Sequence, residues 1–139
     1  MEKRTRILIV DGGHGTRTHV LSLFSLEGSD HETFMAHTAG AAFLQWALVQ
    51  PDLVLLDVTI TGGEGWETLR RIRQESGVPV IALSALDDPQ ITIKSLQLGA
   101  DFCLALPVSL VELHARVRAL LRRAEKARFS GSEPQRVAA

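Results

Sequence analysis

A chain of 139 residues, 45% of them hydrophobic, is long enough to bury one core of ordinary size and shows no sign of a second. Its 15 basic and 16 acidic residues nearly cancel, which removes any whole-chain electrostatic case for binding nucleic acid or a membrane surface. A single cysteine, Cys103, excludes an internal disulfide, and Met1-Glu2-Lys3-Arg4-Thr5-Arg6 leads into only four apolar residues, neither a signal-peptide core nor a bilayer span; a reducing, cytoplasmic setting is expected.

The first apolar run, Ile7-Leu8-Ile9-Val10, is too short for a helix and predicts a buried strand closed by Asp11. Gly12-Gly13-His14-Gly15 leads into a helix predicted over residues 16–26. These glycines lack both the lysine-hydroxyl ending of a phosphate loop and the third-glycine spacing of a dinucleotide site, so His14 reads as a solvated loop residue. A strand at 33–36 and a helix over 39–49 follow, then a strand at 53–56 that ends on Asp57. After a short polar loop come a helix over 67–74, a strand over 78–83 that delivers Ser84, and a helix over 90–98. A short strand at 102–104 precedes a last helix over 110–123, whose Leu110, Leu113, Val117 and Leu121 recur at spacings of three and four. From residue 124 to 139 Phe129 is the only aromatic and Ser130-Gly131-Ser132-Glu133-Pro134 has no apolar period. Residues 1–123 therefore read as the domain and 124–139 as a flexible tail or linker.

Short apolar strands alternating with helices predict a parallel, doubly wound α/β sheet of five strands and five helices, with right-handed crossovers placing helices on both faces. In such sheets ligands bind outside the carboxyl ends of the strands, where the strand order switches. Asp11, Asp57 and Ser84 all fall at that edge.

In detail and in order, these residues resemble the receiver domain of bacterial two-component response regulators over about residues 5 to 123. Ile7-Leu8-Ile9-Val10-Asp11 resembles that family's first strand and acidic corner, and Pro51-Asp52-Leu53-Val54-Leu55-Leu56-Asp57 its acceptor strand. Ile81-Ala82-Leu83-Ser84-Ala85 resembles the strand that carries the phosphate-contacting hydroxyl, and Gly99-Ala100-Asp101 with Leu104 and Pro107 the fifth strand. The ending Leu113-His114-Ala115-Arg116-Val117-Arg118-Ala119-Leu120-Leu121-Arg122-Arg123 is similar to the OmpR/PhoB-like subfamily, whose receivers precede a winged-helix DNA-binding domain. The resemblance implies a flavodoxin-like (CheY-like) (βα)5 fold and a signalling domain rather than a classical enzyme. It further implies Asp57 as phosphoacceptor, Ser84 as phosphoryl contact, and a magnesium ion held by Asp11, Asp57 and the Thr59 carbonyl.

Against that pattern, Gly12 stands where the family has its second acidic residue, and Leu106 in Leu104-Ala105-Leu106-Pro107 stands where it has a phosphate-pairing lysine. Cys103 takes the place of the switching aromatic, and Thr59-Ile60-Thr61-Gly62-Gly63 lacks the usual proline. The expectation is an atypical receiver in phosphorelay signalling, with magnesium weakly bound or absent and output through protein interaction, transcription being what the subfamily regulates. The alternative is a conventional receiver switched by phosphate from a sensor histidine kinase. In the subfamily the face made by the fourth helix, fifth strand and fifth helix pairs two receivers. Asp101, Glu112, Arg116 and Arg123 match its charged positions, so a homodimer through that face is expected, with Thr92 and Phe102 making it more apolar. No membrane and no direct nucleic-acid contact is expected, the basic run at Arg116, Arg118, Arg122 and Arg123 reading as a solvated face. His19, His31, His37 and His114 are scattered without metal-ligand spacing, Trp46 and Trp66 fit packing roles, and Cys103 reads as a small core residue.

Overall fold

The computed structural model describes residues 4–11, 31–60 and 64–129. Within them lie β1 (Thr5–Val10), β2 (His31–Ala36), α1 (Ala39–Val49), β3 (Leu53–Asp57), α2 (Glu64–Glu75), β4 (Val80–Ser84), α3 (Pro89–Gln97), β5 (Phe102–Ala105) and α4 (Leu110–Phe129). The helix predicted over 16–26, together with Gly12, His14 and His19, falls outside the described residues. All five strands are parallel in the order β2-β1-β3-β4-β5, so β1 and β3 flank the point where the winding reverses.

The period-two alternation of each strand divides the core into two layers. Ile7, Ile9, Leu53, Leu55, Ile81 and Leu83 pack on one face against Leu113, Val117 and Leu120 of α4. On the other face Leu8, Val10, Val54, Leu56, Val80 and Ala82 pack against Ala42 of α1 and Leu69 and Ile72 of α2. Because both faces are covered, the central strands are continuously apolar and fully buried, which is why the short runs were readable without any polar alternation. Trp46, Trp66 and Cys103 are partly buried against the second layer, in the packing roles their sequence context indicated.

Helix boundaries follow local chemistry. Thr38 caps α1 by accepting from the Ala41 amide at 3.1 Å. Asp88 caps α3 by accepting from the Gln90 amide at 2.9 Å, with Pro89 pre-set for the first turn. Gly99, at φ 111°, ends α3 in the left-handed conformation, its amide donating to Leu96 O at 3.1 Å while the Ala100 amide donates to Ser95 O at 3.0 Å. Gly65 has a different reason. A Cβ there would stand 2.6 Å from Val58 Cα, so glycine lets the start of α2 approach the chain just beyond Asp57.

The last helix departs from the sequence expectation. It runs to Phe129 rather than ending at Arg123, so the first residues of the expected flexible tail are helical. The physical reason is that Ala124, Glu125, Lys126, Ala127 and Arg128 are all good helix formers and no glycine or proline interrupts them. Apolar periodicity fades there, but helix propensity does not.

Candidate functional site

Three adjacent strands deliver the candidate residues to one edge. Asp57 is the last residue of β3 and Ser84 the last of β4, while Asp11 follows β1 directly, its amide donating to Ala36 O at 2.9 Å. Asp57 is 0% exposed, Ser84 2% and Asp11 7%, so each of these buried polar groups needs hydrogen-bond partners. Asp57 Oδ1 accepts from the Thr59 amide at 2.8 Å and from the Thr59 hydroxyl. That hydroxyl in turn accepts from the Ala85 amide at 3.3 Å, which joins the loop after β3 to the loop after β4. Sequence reading assigned Thr59 only a carbonyl role; its side chain is the unanticipated element, and nothing in its spacing distinguishes it.

The Ser84 hydroxyl points into its own turn, donating to Leu86 O at 2.6 Å and accepting from the Leu86 amide at 3.0 Å. Its backbone carbonyl accepts from the Leu106 amide at 2.7 Å, so the segment after β5 is tied to the same edge. Leu106 itself is partly buried against the α4-side core. At the β1 side, His37 Nδ1 lies 3.7 Å from Asp11 Oδ2, a neighbour that the scattered-histidine reading did not foresee.

The donors at this edge are hard oxygens, the Asp11 and Asp57 carboxylates and the Thr59 carbonyl, which is the chemistry magnesium takes. Their number is small: among the described residues no group of three or more His, Cys, Asp or Glu side chains is arranged to hold a metal. Asp57 Oδ1 is also shared with two Thr59 donors, so a cation there has to compete with them.

Asp101 is placed differently from a surface pairing residue. Its carboxylate accepts from the Val80 amide at 2.8 Å and pairs with Arg73 Nη2 at 3.3 Å, and its side chain is 18% exposed. Arg73, 10% exposed, also donates to Gly99 O at 2.9 Å and to Ser76 O and Val78 O. This network pins α2 to the start of β4 and the turn before β5. The charged residues left outward are Glu112, Arg116 and Arg123; Glu112 and Arg116 pair at 3.5 Å along α4, a contact contributing about 0.5 kcal/mol or less. The Arg116 guanidinium also lies 4.7 Å over the Phe102 ring. Ile93, Leu96 and Val111 are exposed at 54%, 47% and 80%, giving the region around α3, β5 and α4 an apolar component.

A five-stranded parallel sheet in this order, with an aspartate at the end of the central strand and a second beside it, is the architecture of a receiver-type signalling domain. The chain belongs to the response regulator receiver domain family, which it matches over residues 7–118. It is 40% identical over 119 residues to the KDP operon transcriptional regulatory protein KdpE of Escherichia coli, covering 86% of this chain and 52% of that one. It is 36% identical over 136 residues to the probable transcriptional regulator ycf27 of Guillardia theta, covering 94% and 50% respectively. The chain thus spans about half the length of the curated relatives it matches. Among solved structures, a two-component response regulator from Clostridium difficile superposes with a TM-score of 0.77 at 27% identity, covering 86% of this chain and 98% of that one. The BeF3-activated receiver domain of Klebsiella pneumoniae RstA does so at 0.75 and 28%, covering 85% and 99%. The fold and family expected from the sequence are therefore established. Receiver domains are signalling domains that take phosphate from histidine kinases with magnesium and often dimerise. No helix among the described residues is long and apolar enough to cross a membrane.

Proposed function

We propose that this chain is an atypical receiver in two-component signal transduction that acts mainly through protein interaction, with Asp57 the phosphoacceptor position and phosphorylation weak or dispensable. The observation that supports this most directly is Leu106, which packs against the α4-side core where a receiver presents a cation to the phosphate. An apolar side chain cannot make the charge-assisted hydrogen bonds that neutralise a transferring phosphoryl group. Gly12 adds to the loss by taking the second acidic position.

Asp11, Asp57 and the Thr59 carbonyl would hold magnesium, which when bound offsets the negative charge gathered around the acceptor. The chain's own groups do the rest: the Thr59 amide orients Asp57 Oδ1, and a rotation of Ser84 away from Leu86 would offer its hydroxyl to a phosphoryl oxygen. A sensor histidine kinase is the natural donor. The partner surface is a second copy of this chain, packed about a two-fold axis through the face carrying Glu112, Arg116 and Arg123 with Ile93, Leu96 and Val111. Asp101 supports that face from within through Arg73. The reading includes a domain over residues 1–123, a cytoplasmic setting, transcription as the regulated process and no direct nucleic-acid contact by this domain.

Intact-mass spectrometry after incubation with magnesium and a small acyl phosphate tests the acceptor assignment. The expected result is a low-yield single phosphoryl adduct that disappears in Asp57→Asn. An adduct that survives in Asp57→Asn would remove Asp57 from its role, and labelling as complete as that of an ordinary receiver would remove the atypical reading.

A further inference from the structure

The groups at the carboxyl edge best placed to hold a phosphoryl oxygen already have partners within the chain. The Ser84 hydroxyl is closed on Leu86, and the Ala85 amide is spent on Thr59 Oγ1 at 3.3 Å. The Thr59 hydroxyl donates to Asp57 Oδ1, the same oxygen that the Thr59 amide contacts at 2.8 Å. Asp57 is 0% exposed, whereas Thr59 keeps partial exposure. One short side chain therefore lies on the outer side of the acceptor carboxylate and bridges two loops across it.

We propose that Thr59 is a positioning residue that holds this edge closed, its hydroxyl oxygen standing between Asp57 Oδ1 and the Ala85 amide where an oxygen of a phosphoryl group or phosphoryl analogue on Asp57 would stand. The inference rests on the reading of Asp57 as acceptor. Any group attached to Oδ1 has its own oxygens within hydrogen-bond reach of that atom, so it must displace the Thr59 hydroxyl and take over the Ala85 amide. The transfer itself forms a bond between Asp57 Oδ1 and phosphorus and breaks the donor's bond between phosphorus and its acyl oxygen. The donor's acid leaves as its carboxylate anion, and Thr59 neither gains nor loses an atom. Its contribution is to the resting state: a hydroxyl bonded to a buried carboxylate stabilises the closed arrangement, and that stabilisation is lost whenever the site is filled.

A purely structural role for Thr59 would make its removal harmful to every property of the chain. A closing role makes removal beneficial to two of them. Thr59→Val keeps the volume and deletes the hydroxyl, Thr59→Ala deletes both, and Thr59→Ser retains the hydroxyl. Each variant is compared with wild type for the rate of adduct formation from acetyl phosphate with magnesium, read by intact mass. The affinity for beryllofluoride with magnesium, read calorimetrically, gives a second measure that needs no bond to form. Loss of one hydrogen bond to a charged acceptor corresponds to a gain of about tenfold in both quantities for Thr59→Val and Thr59→Ala, with Thr59→Ser close to wild type. Thr59→Val labelled no faster than a wild type that does form its Asp57-dependent adduct would overturn the closing role and leave the acceptor assignment standing. No adduct and no beryllofluoride binding in any variant, while an ordinary receiver responds under the same conditions, would overturn both.

Discussion

Gly12→Asp combined with Leu106→Lys is expected to raise the rate of acyl-phosphate labelling at Asp57 by roughly 10–100-fold, the range set by one charge-assisted hydrogen bond at about 1.5–3 kcal/mol. The two substitutions act on different atoms. A carboxylate at position 12 would add a hard oxygen ligand to the proposed donor set of Asp11, Asp57 and the Thr59 carbonyl, which strengthens magnesium binding. The lysine at position 106 follows Ala105 on a segment already tied to the Ser84 carbonyl through the Leu106 amide at 2.7 Å, so its origin is fixed at the site's edge. Its aliphatic stem can cover the apolar surface that Leu106 now covers while the ammonium reaches the carboxyl edge. Because ligand and cation serve the same transferring group, the double variant should exceed the product of the singles. Labelling that does not change in the double variant would show that these two positions are not what limits the chemistry.

Arg73→Met is expected to destabilise the domain by about 3–5 kcal/mol, the cost of leaving a largely buried carboxylate without its cation. The loss falls on Asp101, 18% exposed, and on the Gly99, Ser76 and Val78 carbonyls that the guanidinium ties together. The rest of the Arg73 side chain packs under Gly99, whose missing Cβ would stand 2.6 Å from Arg73 Cγ, and methionine keeps that contact. Urea unfolding of Arg73→Met measures the loss of the guanidinium, its ion pair with Asp101 and its three carbonyl hydrogen bonds together. Asp101→Asn in the same background should recover part of the loss, because it removes the carboxylate's charge. A change below about 1 kcal/mol would place this network with exposed ion pairs, which contribute little.

The contrast between those two sites shows what could be read from the chain. The central strands announced themselves, because a doubly covered parallel sheet demands uninterrupted apolar runs, and Asp57 and Ser84 were legible as polar residues at the ends of such runs. Absences were equally legible: Gly12 and Leu106 are identities, and no geometry is needed to see that neither carries charge. Direction was not legible. Asp101 looked like a surface charge because sequence gives position but not orientation, and its inward turn depends on Arg73, 28 positions away. The Thr59 hydroxyl was missed for the same reason. Threonine after a strand is ordinary, and its role emerges only when the loops after β3 and β4 are brought side by side. The last helix ran past Arg123 because the expectation followed the apolar period, whereas Ala124 to Arg128 continue the helix on propensity.

If output depends on interaction more than on phosphate, self-association should be nearly indifferent to occupation of the acceptor site. Sedimentation velocity across a concentration series, with and without magnesium and beryllofluoride, measures this directly. The expected result is a dimer whose dissociation constant moves by less than about threefold, well under 1 kcal/mol, and that weakens in Val111→Glu. Tightening by about tenfold or more on addition of beryllofluoride, a coupling of 1.4 kcal/mol, would contradict the account and make this a phosphate-switched receiver despite Gly12 and Leu106.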